Sequence, residues 1–153
     1  VTPPHPITEL ARWASGRPGV GVRYVTPKQA KQKNIPNALV DPRFRGGKIR
    51  GPEQFMYIPQ STFQAFESLT KDTGVVWPEK TQAIALMTVL HEARHLRGGP
   101  KWTSEVRAQD RALNLYKQAA RRLGLPPDKT ERMFDIVLKY TQSLPPDYRP
   151  KNR

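Results

Sequence analysis

The chain has 153 residues, with 26 Lys and Arg against 13 Asp and Glu, a formal net charge of +13 and no cysteine. The missing cysteines exclude disulfides and thiolate ligands, so any bound zinc must take nitrogen and oxygen donors. No run of about 18 apolar residues occurs, which argues against a membrane-spanning helix, while 37% hydrophobic residues suffice for a small core.

These bounds lead to the expectation of one domain over residues 1–153, with residues 1–6 and 143–153 as loose Pro-rich or basic arms. Val1-Thr2-Pro3-Pro4 lacks the basic, apolar and small-residue layout of a signal peptide, so the expected location is cytoplasmic; a processed, secreted chain is also compatible. The positive field suits an acidic protein partner, solubility or nucleic acid. No DNA- or RNA-binding signature accompanies it, so the first two rank ahead of the third.

In chain order, Thr8 is expected to cap a short helix through Ser15, with Ile7, Leu10, Ala11 and Ala14 on one face. His5, between two prolines, is expected to be solvated. After a turn at 16–19, Val20, Val22 and Tyr24 alternate with Gly21 and Arg23, which predicts a strand ending near Thr26. Residues 28–33 read as a basic loop or single helical turn. Residues 37–41 predict a second strand, residues 43–52 a basic loop or irregular hairpin, and residues 54–58 a third strand stopped by Pro59. A further short helix over 61–69 turns Phe63, Phe66 and Leu69 inward.

The longest helical pattern follows Pro78 and runs to a stop at Gly98-Gly99-Pro100. Ala83, Leu86, Leu90 and Ala93 recur on one face, with Ile84, Met87, Thr88, His91 and His95 on an adjoining stripe. Trp77 and Trp102 flank this helix, where they can cover its ends or equally line a substrate groove. A second helix opens at Thr103 or Ser104 and runs to Leu123-Gly124. It places Glu105, Ala108, Gln109, Ala112, Tyr116 and Ala119 on one face. Asp128, with Glu131 three residues on, predicts the cap of a last helix whose apolar face is Met133, Ile136, Val137 and Tyr140.

His91-Glu92-Ala93-Arg94-His95 is a complete H-E-x-x-H set, and residues four apart on a helix share a face. Both imidazoles can therefore reach one Zn²⁺, and Glu92 stands where a general base would act on water. The structural alternative is two histidines satisfied by hydrogen bonds and a solvated Glu92. The second helix favours the metal, because its alanines permit close approach and Glu105 can supply a third ligand. Asp110 is the rival, but it points away from the Glu105 face.

His91-Glu92-x-x-His95 followed by Glu105-x-x-Ala108-Gln109 resembles the gluzincin pattern of metallopeptidases. The compact spacing is most similar to the ImmA/IrrE-like and minigluzincin proteins. The resemblance spans about residues 53–119. It implies His91, His95 and Glu105 as zinc ligands, Glu92 as base and later proton donor, and water in the fourth position. Gln109 stands where those families carry Asp or Asn to orient a ligand histidine, a longer and looser arm. Arg94 is a second departure.

The expected fold is thus α+β and zincin-like, a small, mostly antiparallel sheet packed on the H-E-x-x-H helix and a second, Glu-bearing helix. The expected function is a zinc-dependent metallopeptidase acting on a protein or peptide, with Tyr116, Tyr57, His5 or an arginine as candidate oxyanion donors. The alternative is a non-catalytic zincin-fold binding or structural protein that uses its basic surface on nucleic acid or an assembly partner.

Overall fold

The structure, a computed structural model, describes residues 5–26, 28, 39–40, 54–96 and 105–145. Its elements in order are α1 (Pro6–Ser15), β1 (Val20–Val25), β2 (Leu39–Val40), β3 (Gln54–Pro59), α2 (Gln60–Glu67), α3 (Glu79–Leu96), α4 (Glu105–Arg122) and α5 (Pro127–Gln142). The residue pairs 103–104 and 98–99, expected to start and stop helices, lie outside the described residues, as do Trp102 and the loop at 43–52.

α3 is the hub. It packs against α1, α2, α4 and α5 and against β2 and β3, which explains why its apolar residues run round most of its circumference rather than along one stripe. Ala83, Leu86, Val89, Leu90, Ala93 and Leu96 are all fully buried. Trp77 packs at its start as a partly buried member of the same core. No helix among the described residues is long and apolar enough to cross a membrane.

The sheet is mixed, in the order β1-β3-β2. β1 lies parallel to β3, from Val20 opposite Gln54 to Val25 opposite Pro59. β2 lies antiparallel to β3, with Leu39 opposite Tyr57 and Val40 opposite Met56. This corrects the expectation of a mostly antiparallel sheet. Strand composition carries no direction, and the 26–53 connection is long enough for the crossover that a parallel pair requires. Val20, Met56 and Ile58 are fully buried, while Arg23 and Tyr24 remain exposed.

Two helix starts differ from expectation, each for a local reason. α1 begins at Pro6, and its cap is His5, whose Nδ1 accepts the Ile7 N–H at 3.1 Å. The His5 Nε2 reaches Glu67 Oε2 of α2 at 3.1 Å and its ring packs on Phe63, so His5 is built into the fold rather than solvated. α5 begins at Pro127 with Pro126 as its cap residue and no side-chain cap. Pro127 supplies a helical φ at a position with no N–H to satisfy, so Asp128 falls inside the first turn instead of capping it. α4 ends at Arg122, where expected, and the φ of +79° at Gly124 allows the Leu125 N–H to reach the Ala120 carbonyl at 3.1 Å.

α3 and α4 meet through the face expected of α4. Ala108, Ala112, Tyr116 and Ala119 are fully buried, and the Tyr116 hydroxyl donates to the Ala83 carbonyl of α3 at 2.8 Å. Burial pushes the Tyr116 hydroxyl well above the usual phenol range, so it acts as a neutral strut. Tyr116→Phe should cost about 0.5–1.5 kcal/mol, the net worth of one hydrogen bond. Tyr116→Ala should cost about 3–5 kcal/mol through the cavity it leaves. Urea unfolding at constant m-value checks both, and equal losses in the two variants would deny the packing role.

Candidate metal centre

His91 and His95 lie in the last turns of α3, both more than nine-tenths buried, with ring centroids 4.9 Å apart. The four-residue spacing stacks them on one side of the helix, and their Nε2 atoms come within 3.1 Å. Glu105, the first residue of α4, enters from the facing helix. Its carboxylate reaches His91 Nε2 at 2.7 Å and His95 Nε2 at 3.3 Å. Glu105, rather than Asp110, bridges the two imidazoles.

Gln109 settles which nitrogen of His91 faces inward. Its side-chain oxygen lies 3.0 Å from His91 Nδ1, and an amide oxygen only accepts, so Nδ1 carries the proton. Nε2 is then the nitrogen aimed at His95 and Glu105, where a proton or a metal can sit on it. The amide arm, longer than the Asp or Asn of the resembling families, still reaches because Gln109 is 5% exposed and held on the α3-facing side of α4.

Two ring nitrogens and a carboxylate directed at one another repel unless a cation, either a proton or a metal, lies among them. A tetrahedral zinc with bonds of about 2.0–2.1 Å sets its ligand atoms about 3.3–3.4 Å apart. The two Nε2 atoms lie 3.1 Å apart, and the Glu105 carboxylate turns Oε2 to His91 at 2.7 Å and Oε1 to His95 at 3.3 Å, separations at or below that value. The donor set therefore fits zinc with a few tenths of an ångström of opening. Two neutral imidazoles and one carboxylate are also the donor types zinc takes when thiolates are absent.

Two carboxylates compete for the third position, and their environments separate them. The ligand atoms of His91, Glu92 and His95 lie within 4.8 Å of one another, with Glu92 Oε1 at 4.0 Å from His91 Nε2. Burial pushes Glu92 up to about 7, and the positive charges of His91 and His95 only partly offset it. Burial also works against the charge on Glu105, but hydrogen bonds from His91 and His95 prevail and hold it near 2. Glu105 is closer and ionised, which suits a ligand. Glu92 stands one step back, poised to take or release a proton near neutral pH.

Of the candidate oxyanion donors, Tyr116 is committed to Ala83 and His5 to Ile7 and Glu67. Tyr57 sits half-buried on the central strand. One residue with a role here gave no sequence signal. Arg17, in the turn after α1, donates from Nε to the Leu96 carbonyl at 2.6 Å across a separation of 79 positions. It holds the end of α3 one residue beyond His95, where the helix dipole favours a cation.

No protein family, curated protein or solved structure matches this chain. The geometry of His91, His95, Glu105, Glu92 and Gln109 therefore carries the chemical reading.

Two outcomes follow from this geometry. Gln109→Ala should weaken Zn²⁺ affinity on the order of 10–100-fold by releasing the His91 ring, and Asp110→Ala far less. Competition with a chelating dye ranks them, and the reverse order would mean that α4 is rotated. The second concerns pH in metal-stripped protein. Below pH 4.5 Glu92 is protonated folded or unfolded; between 4.5 and about 7 only the unfolded chain loses its proton. Rising pH across that window therefore favours unfolding, at a cost on the order of 3 kcal/mol. Glu92→Gln should accordingly be more stable than wild type at pH 8, with the gap closing near pH 4. A constant gap between urea curves at the two pH values would refute the raised carboxyl.

Proposed function

We propose that the chain is a zinc-dependent metallopeptidase of the gluzincin type, with a zincin-like arrangement of α3, α4 and the sheet. One observation carries this reading: His91 Nε2, His95 Nε2 and the Glu105 carboxylate converge within 2.7–3.3 Å, beside a buried Glu92 raised to about 7. Zn²⁺ held there would supply a Lewis acid to polarise a carbonyl and to make water acidic enough to attack near neutral pH.

The chain's own residues do the rest. His91, His95 and Glu105 hold the ion from two helices, and Gln109 fixes the His91 tautomer. Glu92 removes the proton from the attacking water and returns it to the leaving amine, which a carboxyl near 7 can do in both directions. The substrate class is a protein or peptide. In the resembling families an extended peptide lies along a sheet edge, and β-augmentation gives the physical reason. β1 and β2 are the edge strands among the described residues, and β2 packs the more closely on α3.

A structural zinc pinning α3 to α4 requires the same three ligands, so ligand variants cannot separate the two readings. His91→Ala and His95→Ala should each lose most of the metal in either case. Glu92→Gln separates them. It keeps shape, fold and zinc content, and should lose on the order of 10²–10⁴ in turnover of a peptide substrate found by library screening. Wild-type turnover surviving in Glu92→Gln would rule out the mechanism. A fourth protein ligand seen by X-ray absorption on the zinc-loaded chain would establish the scaffold reading instead.

A further inference from the structure

The positive charge of the chain is not evenly spread over its helices. α5 mixes signs on its exposed side: Asp128, Glu131, Arg132, Asp135 and Lys139. Arg132 there pairs with Asp128 at 3.4 Å and with Glu79 at 2.9 Å. That is the pattern of a solvated face. α4 differs. At about 100° per residue, Arg107, Arg111, Asn114, Gln118, Arg121 and Arg122 fall within an arc of roughly 100°. All are exposed except the half-buried Arg111. The arc holds four arginines and two amides, and the helix itself contributes no acidic or apolar side chain to it. Arg122, at its edge, stacks over the Trp13 ring of α1 at 4.7 Å. Asp110 lies just past one border, and Lys117 beyond it is paired with Glu131 at 3.1 Å.

We propose that this outer face of α4 docks on the phosphate backbone of duplex DNA. Every side chain in the arc donates hydrogen bonds, and all four cations are arginines, whose planar forks match phosphate oxygens. Asn and Gln are also common partners of phosphates and base edges. From Arg107 to Arg121 the face is about 21 Å long, a length over which duplex DNA carries about twelve charges. A protein-binding face would centre on an apolar or aromatic anchor, and this arc has none. The chain's net charge of +13 adds long-range attraction of the right sign. Glu105 and Gln109 project from the opposite side of the same helix, so DNA docking does not depend on the metal or on peptidase activity.

The test uses the full chain and a fluorescein-labelled 20-base-pair duplex, with anisotropy read from 25 to 200 mM salt. Each arginine–phosphate contact contributes about 0.9 to the slope of log K against log salt. Arg107→Gln/Arg121→Gln should therefore lower the slope by about 1.8 units, while Lys80→Gln/Lys139→Gln, which removes equal charge elsewhere, should leave it nearly unchanged. Gln118→Glu, a single exposed substitution in the middle of the arc, should weaken binding at every salt concentration. The proposal is overturned by absence of binding at 25 mM salt, or by a control pair that lowers the slope as much as the arginine pair. It is also overturned if poly-glutamate of matching charge competes as well as unlabelled duplex, since an acidic protein partner would then be the better fit.

Discussion

The contact between α3 and α4 is the constraint on which the rest depends. Four alanines of α4, at 108, 112, 119 and 120, and Ala83 and Ala93 of α3 are buried almost completely, so the helix axes approach closely. Only a close approach lets the short Glu105 side chain span from one helix to both imidazoles of the other. Tyr116 locks the pair further along with a hydroxyl-to-carbonyl bond. Bulk added at those alanines would force the helices apart and separate the metal donors, whatever it did for the core.

The site is built against stability. Burying Glu92 raises its carboxyl to about 7, and two histidines and an ionised Glu105 face each other at hydrogen-bonding distance. A core designed only to fold would place apolar side chains there. Gln109 and Arg17 restrain this end: one orients His91, the other binds the Leu96 carbonyl just past His95. A cation among these groups would relieve the repulsion, and a metal held there would be tied to folding.

α4 therefore has two chemistries back to back. Its inner face provides Glu105 and Gln109 to the candidate metal centre among small apolar residues, and its outer face carries arginines and amides. The helix period keeps them about half a turn apart, so either face can change without altering the other. The N-terminal segment is tied in separately, through His5, which caps α1 and bonds Glu67 of α2.

Local pattern determined much of this. Helical spacing from Ala83 to His95 and from Glu105 to Ala119 made both long helices legible, since burial of one face imposes a 3.6-residue repeat. The same period separated Glu105 from Asp110, because five residues of helix turn a side chain well away from the first. The α+β class and the strand positions were also legible from alternation and prolines. Tertiary structure decided whatever depends on partners distant in sequence. Strand direction was one such case, since alternation reads the same whichever way the chain runs. So were His5 as a cap bonded to Glu67, and Tyr116 bonded to Ala83 rather than to a substrate. The different proton affinities of Glu92 and Glu105 were another. The two are the same residue type, and only the water excluded around one and the imidazoles set around the other make one an acid near neutrality and the other a permanent anion.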